Sequence, residues 1–395
     1  MPVPAPAART AQISPFYVME IVKAAARLQA EGRSIIHMSI GEPDFTAPEP
    51  VQAAAHAAIS AGATGYTPAL GLDALRERIA RHYRATLGVD VDPARIAVTA
   101  GASAALLLAM AALLGRDAEV LMPDPSYPCN RHFVTAFEGR ARLVPCGPEA
   151  RFQFTSEVVR EHWSPATAGV MLASPSNPTG TSITPDALAD VLTTVRGLGG
   201  FSVVDEIYQG LSYDHAPVTA LALADDAIVI NSFSKYFGMT GWRLGWLVAP
   251  AALVPTLEKL AQNLFICASA VSQQAGLACF GAEAMAICES RRQQFQARRD
   301  YLVPALRRAG LTIPVVPDGA FYIYADVSRY TTDSWQFAFD LLNDAGVCVV
   351  PGRDFGLHDP QRWVRVSYAT SLDNLQEAVR RIERFLACRS GSASE

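Results

Sequence analysis

A lysine and an aspartate stand at the ends of two apolar runs, where their side chains are placed for chemistry rather than for solvation. Lys235 follows the segment AIVINSFS and precedes YFGMTGWRLGW, with two hydroxyls nearby and few carboxylates. A desolvated amine in such surroundings has a lowered pKa and becomes a nucleophile. Asp205 ends the run FSVV, where an ionised carboxylate is costly unless a positive group faces it, such as a protonated pyridine nitrogen. The alternative is that Asp205 or Glu206 only caps the next segment.

Two further features suit an anion. Gly101-Ala102-Ser103 opens a predicted helix, and a helix start presents unpaired N–H groups and a partial positive charge to a phosphate. Arg243 lies in WRLGW, eight positions after Lys235, where its planar guanidinium needs an anionic partner. Both features have structural alternatives, since Gly or Ser often begins a helix as a cap and an arginine can pair with an acidic side chain.

The elements that must position these residues follow a repeating pattern. From about residue 93 onward, short apolar runs alternate with helical patterns, which is typical of an α/β protein with a mainly parallel sheet. The predicted strands are 96–99, 119–122, 169–174, 201–206, 227–231 and 243–248, and the first precedes a helix over 103–114. In open sheets, ligands bind outside the carboxyl ends of the strands. We therefore expect one crevice to gather the residues after these runs: Gly101, Ala102, Ser103, Tyr127, Asn177, Asp205, Tyr208, Ser232, Ser234 and Lys235.

A second, smaller α+β unit is predicted in the last third of the chain. A polar helix over about 283–309, rich in Arg and Gln, leads into it. Beyond that helix, LTIPVVPDG, AFYIYADV, VCVVPG and WVRVSYA are predicted strands, with helices at about 333–345 and 372–387. A helix near 15–31 has no strand–helix repeat of its own and must pack on another part of the protein. The expected domains are 1–45, an N-terminal arm and part of the small domain; 46–284, the large domain; and 285–395, the connector helix and small C-terminal domain.

Composition excludes several classes of function. The formal charge is −5, from 33 Lys plus Arg and 38 Asp plus Glu, and no basic run with interleaved aromatics could follow a nucleic acid. Seven scattered cysteines without a CxxC pair indicate reduced thiols, so neither a disulfide framework nor a metal site is expected. The charge-free stretch 96–115 divides into a strand and a helix of roughly a dozen residues, too short to span a bilayer. Without an export signal, a cytoplasmic protein with no membrane contact is expected.

The quoted residues also resemble a known family, the class I/II aminotransferases among the fold-type I pyridoxal-phosphate enzymes. SFSKYFGMTGWRLGW (232–246) is similar to the family's cofactor-lysine signature, Ser-x-Ser-Lys followed by Gly-x-Arg-x-Gly. Further matches follow the family's order across about residues 13–385: IGEPDF (40–45), GYTPALGLDALR (65–76), TAGAS (99–103), PSYP around Tyr127, SNPTG (176–180), DEIY (205–208), PDGAFY (317–322), PGRDFG (351–356) and RVSYAT (365–370). The resemblance implies the fold-type I architecture, with a large cofactor-binding domain on a mainly parallel sheet flanked by helices, plus a smaller α+β domain.

The resemblance gives the catalytic roles to three residues. Lys235 would carry pyridoxal 5'-phosphate as a Schiff base and, once displaced by substrate, would move a proton between the substrate Cα and the C4′ carbon of the cofactor. Asp205 would keep the ring nitrogen protonated. Tyr208, together with Asn177, would hydrogen-bond the 3-oxygen of the ring.

The binding roles follow in the same way. Arg365 would hold the substrate α-carboxylate in a two-bond fork that a lysine cannot imitate, and Gly41 and Asn177 would line the substrate side. The Asn177–Pro178 bond is expected to be cis, as in relatives. The other cofactor contacts would come from Tyr127 on the ring face, from Ala102, Ser103, Ser232 and Arg243 at the phosphate, and from Tyr66 reaching across a homodimer with shared active sites.

The implied activity is a ping-pong transfer, in which an amino acid gives up its amine and a 2-oxo acid takes it. A pyridoxal-phosphate lyase or synthase on the same fold remains an alternative. A non-catalytic regulator is disfavoured, because fewer than 40 residues precede SIGEPDF and they contain no basic helix-turn-helix.

Two positions depart from the aspartate-specific bacterial branch of the family, which weakens a claim of aspartate specificity. That branch often has Lys where this chain has Ser103, and Trp in the loop that here is PSYPCN. Arg131, Arg151 and Arg353 are candidates for a distal carboxylate, but each is expected to be a surface charge. The amino donor and acceptor are therefore not predicted.

Overall fold

The computed structural model describes residues 4–391 and contains a seven-stranded sheet, a three-stranded sheet and a two-stranded pair. The apolar runs form most of these strands, because β-branched and aromatic residues fit a pleated, buried surface. The strands are β1 Ile36–His37, β2 Ile96–Thr99, β3 Glu119–Asp124, β4 Arg140–Pro145, β5 Thr167–Ala173, β6 Phe201–Asp205, β7 Ile228–Ser232, β8 Gly245–Val248, β9 Tyr322–Asp326, β10 Val347–Cys348, β11 Val350–Pro351 and β12 Trp363–Ser367.

The large sheet has the strand order β2-β8-β7-β6-β5-β3-β4. Within it, only β8 runs antiparallel to its neighbours, and the other pairs are parallel. Six strands therefore end at one edge, where ligands bind in sheets of this kind. The predicted α/β class with a mainly parallel sheet is confirmed. The sequence pattern did not reveal β4, because Arg140 and Arg142 interrupt the apolar run of this edge strand.

Helices pack on both sides of this sheet and around the smaller C-terminal unit. They are α1 Val18–Ala30, α2 Glu49–Ser60, α3 Asp73–Leu87, α4 Gly101–Leu113, α5 Pro128–Ala136, α6 Ser156–His162, α7 Pro185–Gly197, α8 Val254–Leu264, α9 Ala270–Ala278, α10 Ala282–Arg308, α11 Ser334–Ala345 and α12 Leu372–Gly391. The charge-free stretch 96–115 forms β2 and α4, and α4 packs against β8 and α8. Across residues 4–391, no helix has both the length and the apolar character needed to cross a bilayer.

The C-terminal part of the chain forms a smaller α+β unit. The helix α10 leads into it, within one residue of the predicted bounds, and β11, β12 and β9 form its antiparallel sheet. The N-terminal segment packs here, since β1 pairs with β10 and Ile21 of α1 shares an apolar core with Val347. The exact domain boundaries at 45 and 284 stay a prediction.

One predicted strand is wrong. The segment LTIPVVPDG, residues 311–319, forms only two isolated bridges, Thr312 with Asp326 and Gly319 with Ser212. Pro314 and Pro317 lack the N–H that a strand needs for its ladder, so the apolar run does not continue as a strand. The segment VCVVPG also divides into two short strands, β10 and β11.

Candidate active site

Lys235 lies in the turn after β7, three residues beyond Ser232. Its amine donates a hydrogen bond to the carbonyl oxygen of Gly41 at 2.6 Å and lies 5.8 Å from the centre of the Tyr208 ring. Burial lowers the pKa of the amine to about 8, against the raising effect of Glu42. The uncharged amine, which is the form that attacks a carbonyl carbon, is therefore more populated near neutral pH than it is for an ordinary lysine.

Asp205 ends β6, the strand beside β7, and its side chain is buried. Burial raises the pKa of this carboxyl to about 6, while the hydrogen bond from the Ile207 N–H (3.0 Å) and the charge of Lys235 act in the opposite direction. The bond from Ile207 shows that the capping alternative holds in part. A cation facing the carboxylate would offset the remaining cost of burial.

Glu206, the neighbouring acid, has a structural environment of its own. Its oxygens accept hydrogen bonds from the Ala220 N–H at 2.7 Å and from the Gln209 amide at 2.9 Å. Burial raises the pKa of Glu206 to about 8. Glu206 therefore has a structural role, because its oxygens accept hydrogen bonds from the loop that follows it. Asp205 instead lies close enough to Lys235 to interact with its charge.

A guanidinium and a helix start meet at one point, as a phosphate site requires. Gly101 begins α4 with φ +78°, a left-handed value that favours glycine, and a Cβ there would lie 2.4 Å from Nη2 of Arg243. At Gly245, a Cβ would lie 2.8 Å from the backbone nitrogen of Ala102. Arg243 itself donates to the Thr240 carbonyl at 3.0 Å. We call Gly101, Ala102, Arg243 and Gly245 the anion cradle, since helix N–H groups and a cation both face it.

The two serines predicted for the phosphate are placed differently. Ser103 lies half-buried in the first turn of α4. The Ser232 hydroxyl donates to the Ser234 hydroxyl at 2.9 Å and to the Leu244 carbonyl at 3.1 Å. Ser232 therefore stands beside the cradle, but its hydroxyl hydrogen would have to turn away from these acceptors to reach a phosphate.

Arg365, in the centre of β12, is a buried cation of the crevice. Its Nη1 donates to Oδ1 of Asn177 at 2.9 Å, its Nη2 donates to the Ser39 carbonyl at 2.7 Å, and its buried Nε has no hydrogen-bond partner. The guanidinium carbon lies 4.4 Å from the centre of the Tyr322 ring and 4.9 Å from that of Phe355. We call Arg365 and these four neighbours the arginine clamp. A buried guanidinium with an unused N–H calls for an anion, such as a carboxylate.

Three tyrosines wall the crevice between the cradle and the clamp. The hydroxyls of Tyr208 and Tyr322 lie 2.8 Å apart, within hydrogen-bond distance. Burial raises the pKa of the Tyr127 phenol, and Cys129, Tyr322 and Asp205 add to the effect. Tyr127 thus lies near Asp205, as a residue on the ring face must. Tyr322 ends the PDGAFY motif, but the motif alone indicates no role for it, since only the pairing of β9 with β12 brings it beside Arg365.

One sequence-predicted residue lies apart from the crevice. Tyr66 is 85% exposed in the single chain, and its reach into a partner subunit stays a prediction. By contrast, Gly41 borders the crevice, since a Cβ there would be 3.4 Å from the Tyr322 hydroxyl. The Asn177–Pro178 bond is cis, as expected.

The three candidate arginines for a distal carboxylate have other partners. Arg131 donates to the Asp354 carbonyl at 2.9 Å, and Arg151 pairs with Asp318 at 2.6 Å. Both are half-buried rather than the surface charges that were expected. Arg353 is exposed, with its guanidinium carbon 4.6 Å from the centre of the Tyr17 ring and 5.3 Å from that of Trp335.

Comparisons with known proteins agree with this geometry. Residues 33–382 match the family model described as aminotransferase class I and II. The valine–pyruvate aminotransferase of Mycobacterium tuberculosis is 41% identical over 95% of this chain and 97% of its own length, and the aspartate aminotransferase of Geobacillus stearothermophilus is 33% identical over 97% and 99%. A crystal structure of an aminotransferase from M. tuberculosis superposes with a TM-score of 0.94 at 40% identity, covering 98% of this chain and 100% of that one. This chain therefore belongs to the class I and II aminotransferases and transfers an amino group from an amino acid to a 2-oxo acid.

Proposed function

We propose that this aminotransferase binds pyridoxal 5'-phosphate between the anion cradle and the arginine clamp, with Lys235 as the residue that carries it. The supporting observation is the convergence of a half-buried amine, a buried carboxylate at Asp205 and two cations, Arg243 and Arg365, on one crevice. The cradle suits a phosphate, because the guanidinium of Arg243 lies against Gly101 at the N-terminal end of α4, where a cation and unpaired N–H groups meet. When bound, the cofactor would supply an electron sink for the electron pair that remains on the substrate Cα once its proton has left.

The residues of the chain divide the remaining work. Lys235, with a pKa near 8, can accept a proton from the substrate Cα and return it without a large energetic penalty near neutral pH. Asp205 presents a buried carboxylate whose preferred partner is a cation, which suits the protonated nitrogen of the ring. Tyr208 and Asn177 would bond the ring oxygen, and Tyr127 would cover the ring face. Ala102, Ser103, Ser232 and Arg243 would hold the phosphate.

Arg365 would bind the α-carboxylate of either substrate. Its Nη1 is already oriented by Asn177 and its Nη2 by the Ser39 carbonyl, so the plane of the guanidinium is fixed before substrate arrives. The unpartnered Nε shows that the donor capacity of this buried group is not exhausted by the protein. A carboxylate accepting from it would satisfy the group and set the Cα near Lys235.

We propose a neutral amino acid as the amino donor. Arg131, Arg151 and Arg353 are each engaged elsewhere, so none of the three supports a second carboxylate subsite within this chain. The relative from M. tuberculosis is named a valine–pyruvate aminotransferase, which favours the same substrate class.

A cytoplasmic homodimer with shared active sites is also part of the proposal. Large apolar side chains are exposed on the single chain, including Leu264 at 54% and Ile266 at 48%, together with Tyr66. Such side chains are commonly covered by a subunit interface. All seven cysteines are free thiols, which suits a reducing compartment.

The test uses the colour of the purified enzyme loaded with pyridoxal phosphate. L-valine should bleach the visible cofactor band at least about tenfold faster than L-aspartate at equal concentration, since a second carboxylate left without a cation costs about 1.4 kcal/mol or more. Pyruvate should restore the band and yield L-alanine. Borohydride trapping followed by peptide mass spectrometry should find the cofactor on Lys235.

The chain offers a sharp control, because it contains three lysines and the other two, Lys23 and Lys259, are exposed. Lys235→Ala should lose turnover and trapping, whereas Lys259→Ala should keep both. Retention of the trapped adduct in Lys235→Ala would show that the cofactor lysine is misassigned. Faster bleaching by aspartate would overturn the proposed substrate class.

A further inference from the structure

Tyr322 is the first residue of β9 and is fully buried at the centre of the crevice. Arg365 on β12 pairs directly with Tyr324, two residues further along β9. Because residues two apart on a strand share a face, Tyr322 and Arg365 are diagonal neighbours on the same side of the small sheet. Tyr322 thus contacts Arg365 through its ring and Tyr208 through its hydroxyl.

The hydrogen bond between the hydroxyls of Tyr208 and Tyr322 has a preferred direction when the cofactor is bound. Each phenol has a single O–H to donate, and the oxygens of Tyr208 and Tyr322 lie 2.8 Å apart. If Tyr208 donated to Tyr322, it would face the ring oxygen of the cofactor with a lone pair, and two acceptors repel. If Tyr322 donates instead, the proton of Tyr208 remains available for the ring oxygen.

The ring of Tyr322 contacts the guanidinium of Arg365. Its centre lies 4.4 Å from the guanidinium carbon of Arg365, a cation–π distance, with Phe355 at 4.9 Å. Asn177 and the Ser39 carbonyl hold two nitrogens of that guanidinium, and the aromatic faces fix its plane. A planar fork must be held in this way if it is to meet a carboxylate with two bonds.

We propose that Tyr322 is a positioning residue that acts on the cofactor and the substrate at once. Its hydroxyl donates to Tyr208 and so directs the Tyr208 proton toward the 3-oxygen of the cofactor. Its ring keeps Arg365 in the plane that binds the α-carboxylate. The proposal rests on the proposed function, since both effects require pyridoxal phosphate in this crevice.

The two roles separate with two substitutions. Tyr322→Phe keeps the aromatic ring of residue 322 and removes its hydroxyl donor, so Tyr208 donates more weakly to the 3-oxygen of the cofactor. That oxygen is then more basic and holds a proton more tightly. The pH midpoint of the visible cofactor absorbance should therefore rise by about half a unit or more. The affinity for isovalerate, a carboxylate without an amino group, should change by less than about twofold. Tyr322→Leu should weaken isovalerate binding by roughly fivefold or more.

Tyr324→Phe is the matched control, because it makes the same chemical change on the same strand and face. It should leave both the midpoint and the isovalerate affinity at wild-type values. The proposal is overturned if cofactor-loaded Tyr322→Phe titrates like wild type, or if Tyr324→Phe shifts the midpoint equally. Should Tyr322→Leu fail to fold, Tyr322→Phe still decides the hydroxyl role. A wild-type enzyme without a visible cofactor band would instead refute the proposed function.

Discussion

The anion cradle and the arginine clamp both suit a negative group, but the cradle is formed mainly by backbone and the clamp mainly by side chains. In the cradle, backbone at Gly101, Ala102 and Gly245 approaches so closely that side chains are excluded, and the cation Arg243 rests on it. In the clamp, the side chain of Arg365 is oriented by side chains and carbonyls from segments distant in sequence. A backbone site tolerates almost no added atom, whereas a side-chain site depends on the shape and charge of one group.

This difference separates the expected consequences of mutation. Damage to the cradle should appear as loss of cofactor affinity, because the cradle is the proposed site of the cofactor phosphate. Damage to the clamp should appear as loss of substrate affinity in enzyme that is still loaded with cofactor. A variant of one region that produced the defect of the other would break the comparison.

The largest effect is expected at the clamp. Arg365→Lys should lower kcat/KM for the amino donor by at least about 100-fold, because a lysine cannot keep two donors in one plane and leaves Asn177 and the Ser39 carbonyl without their partner. Steady-state kinetics with saturating cofactor would measure it, alongside the cofactor dissociation constant, which should stay within about threefold of wild type.

Arg362→Lys is the control for Arg365→Lys. Arg362 precedes β12, is half exposed and pairs with Asp326 at 2.6 Å, so exchanging it changes the same residue type outside the crevice. Its kcat/KM should remain close to that of wild type. Equal losses in the two variants would mean that the defect comes from general weakening of the small sheet.

The second effect is expected at the cradle. Gly101→Ala places a Cβ where φ is +78° and where Nη2 of Arg243 would lie 2.4 Å away, so either the helix start or the guanidinium must move. Strain of this kind costs on the order of 1–3 kcal/mol, and the cofactor dissociation constant should rise about tenfold or more. Fluorescence titration of cofactor-free enzyme would measure it, and KM for the donor at saturating cofactor should change little.

Gly115→Ala is the matched control, because Gly115 lies just beyond the other end of α4 and a Cβ there meets no atom within 4 Å. Its cofactor affinity should equal that of wild type. An unchanged affinity in Gly101→Ala would show that the cradle is not where the phosphate binds.

The two regions also differ in how far the sequence predicts them. Lys235, Asp205 and Gly101 each follow an apolar run directly, so the rule that ligands meet the carboxyl ends of strands places all three without coordinates. The clamp cannot be predicted in that way, because Ser39, Asn177 and Tyr322 contact Arg365 from other parts of the chain. Ser39, the most distant of them, lies 326 positions before Arg365 in the sequence. Tyr322 was therefore missed, although its motif was recognised.

The incorrect strand at 311–319 has a related cause. Hydrophobicity alone suggested a strand there, whereas two prolines in LTIPVVPDG remove the backbone donors that a ladder needs. A local pattern thus predicts which residues are buried, while the partner of a buried residue is decided by register and by side chains that are distant in sequence.

The smallest expected effect concerns the carboxylate between the two regions. Asp205 has its pKa raised from 3.8 to about 6, so the folded protein binds this proton more tightly than the unfolded chain does. The cost of ionising the buried carboxyl therefore grows from pH 3.8 to about pH 6, where it is nearly complete, and it reaches at most about 3 kcal/mol. Asp205→Asn removes that cost and should raise the melting temperature of the cofactor-free enzyme at pH 7.5 by a few degrees or less. The advantage should vanish near pH 4, where the wild-type carboxyl is protonated.

With cofactor bound, the order should reverse, because the charge that destabilises the empty crevice then faces a cation. Calorimetry of both proteins at both pH values, with and without pyridoxal phosphate, distinguishes these cases. An asparagine variant that is less stable than wild type without cofactor at pH 7.5 would contradict the prediction that the buried, ionised Asp205 destabilises the empty crevice.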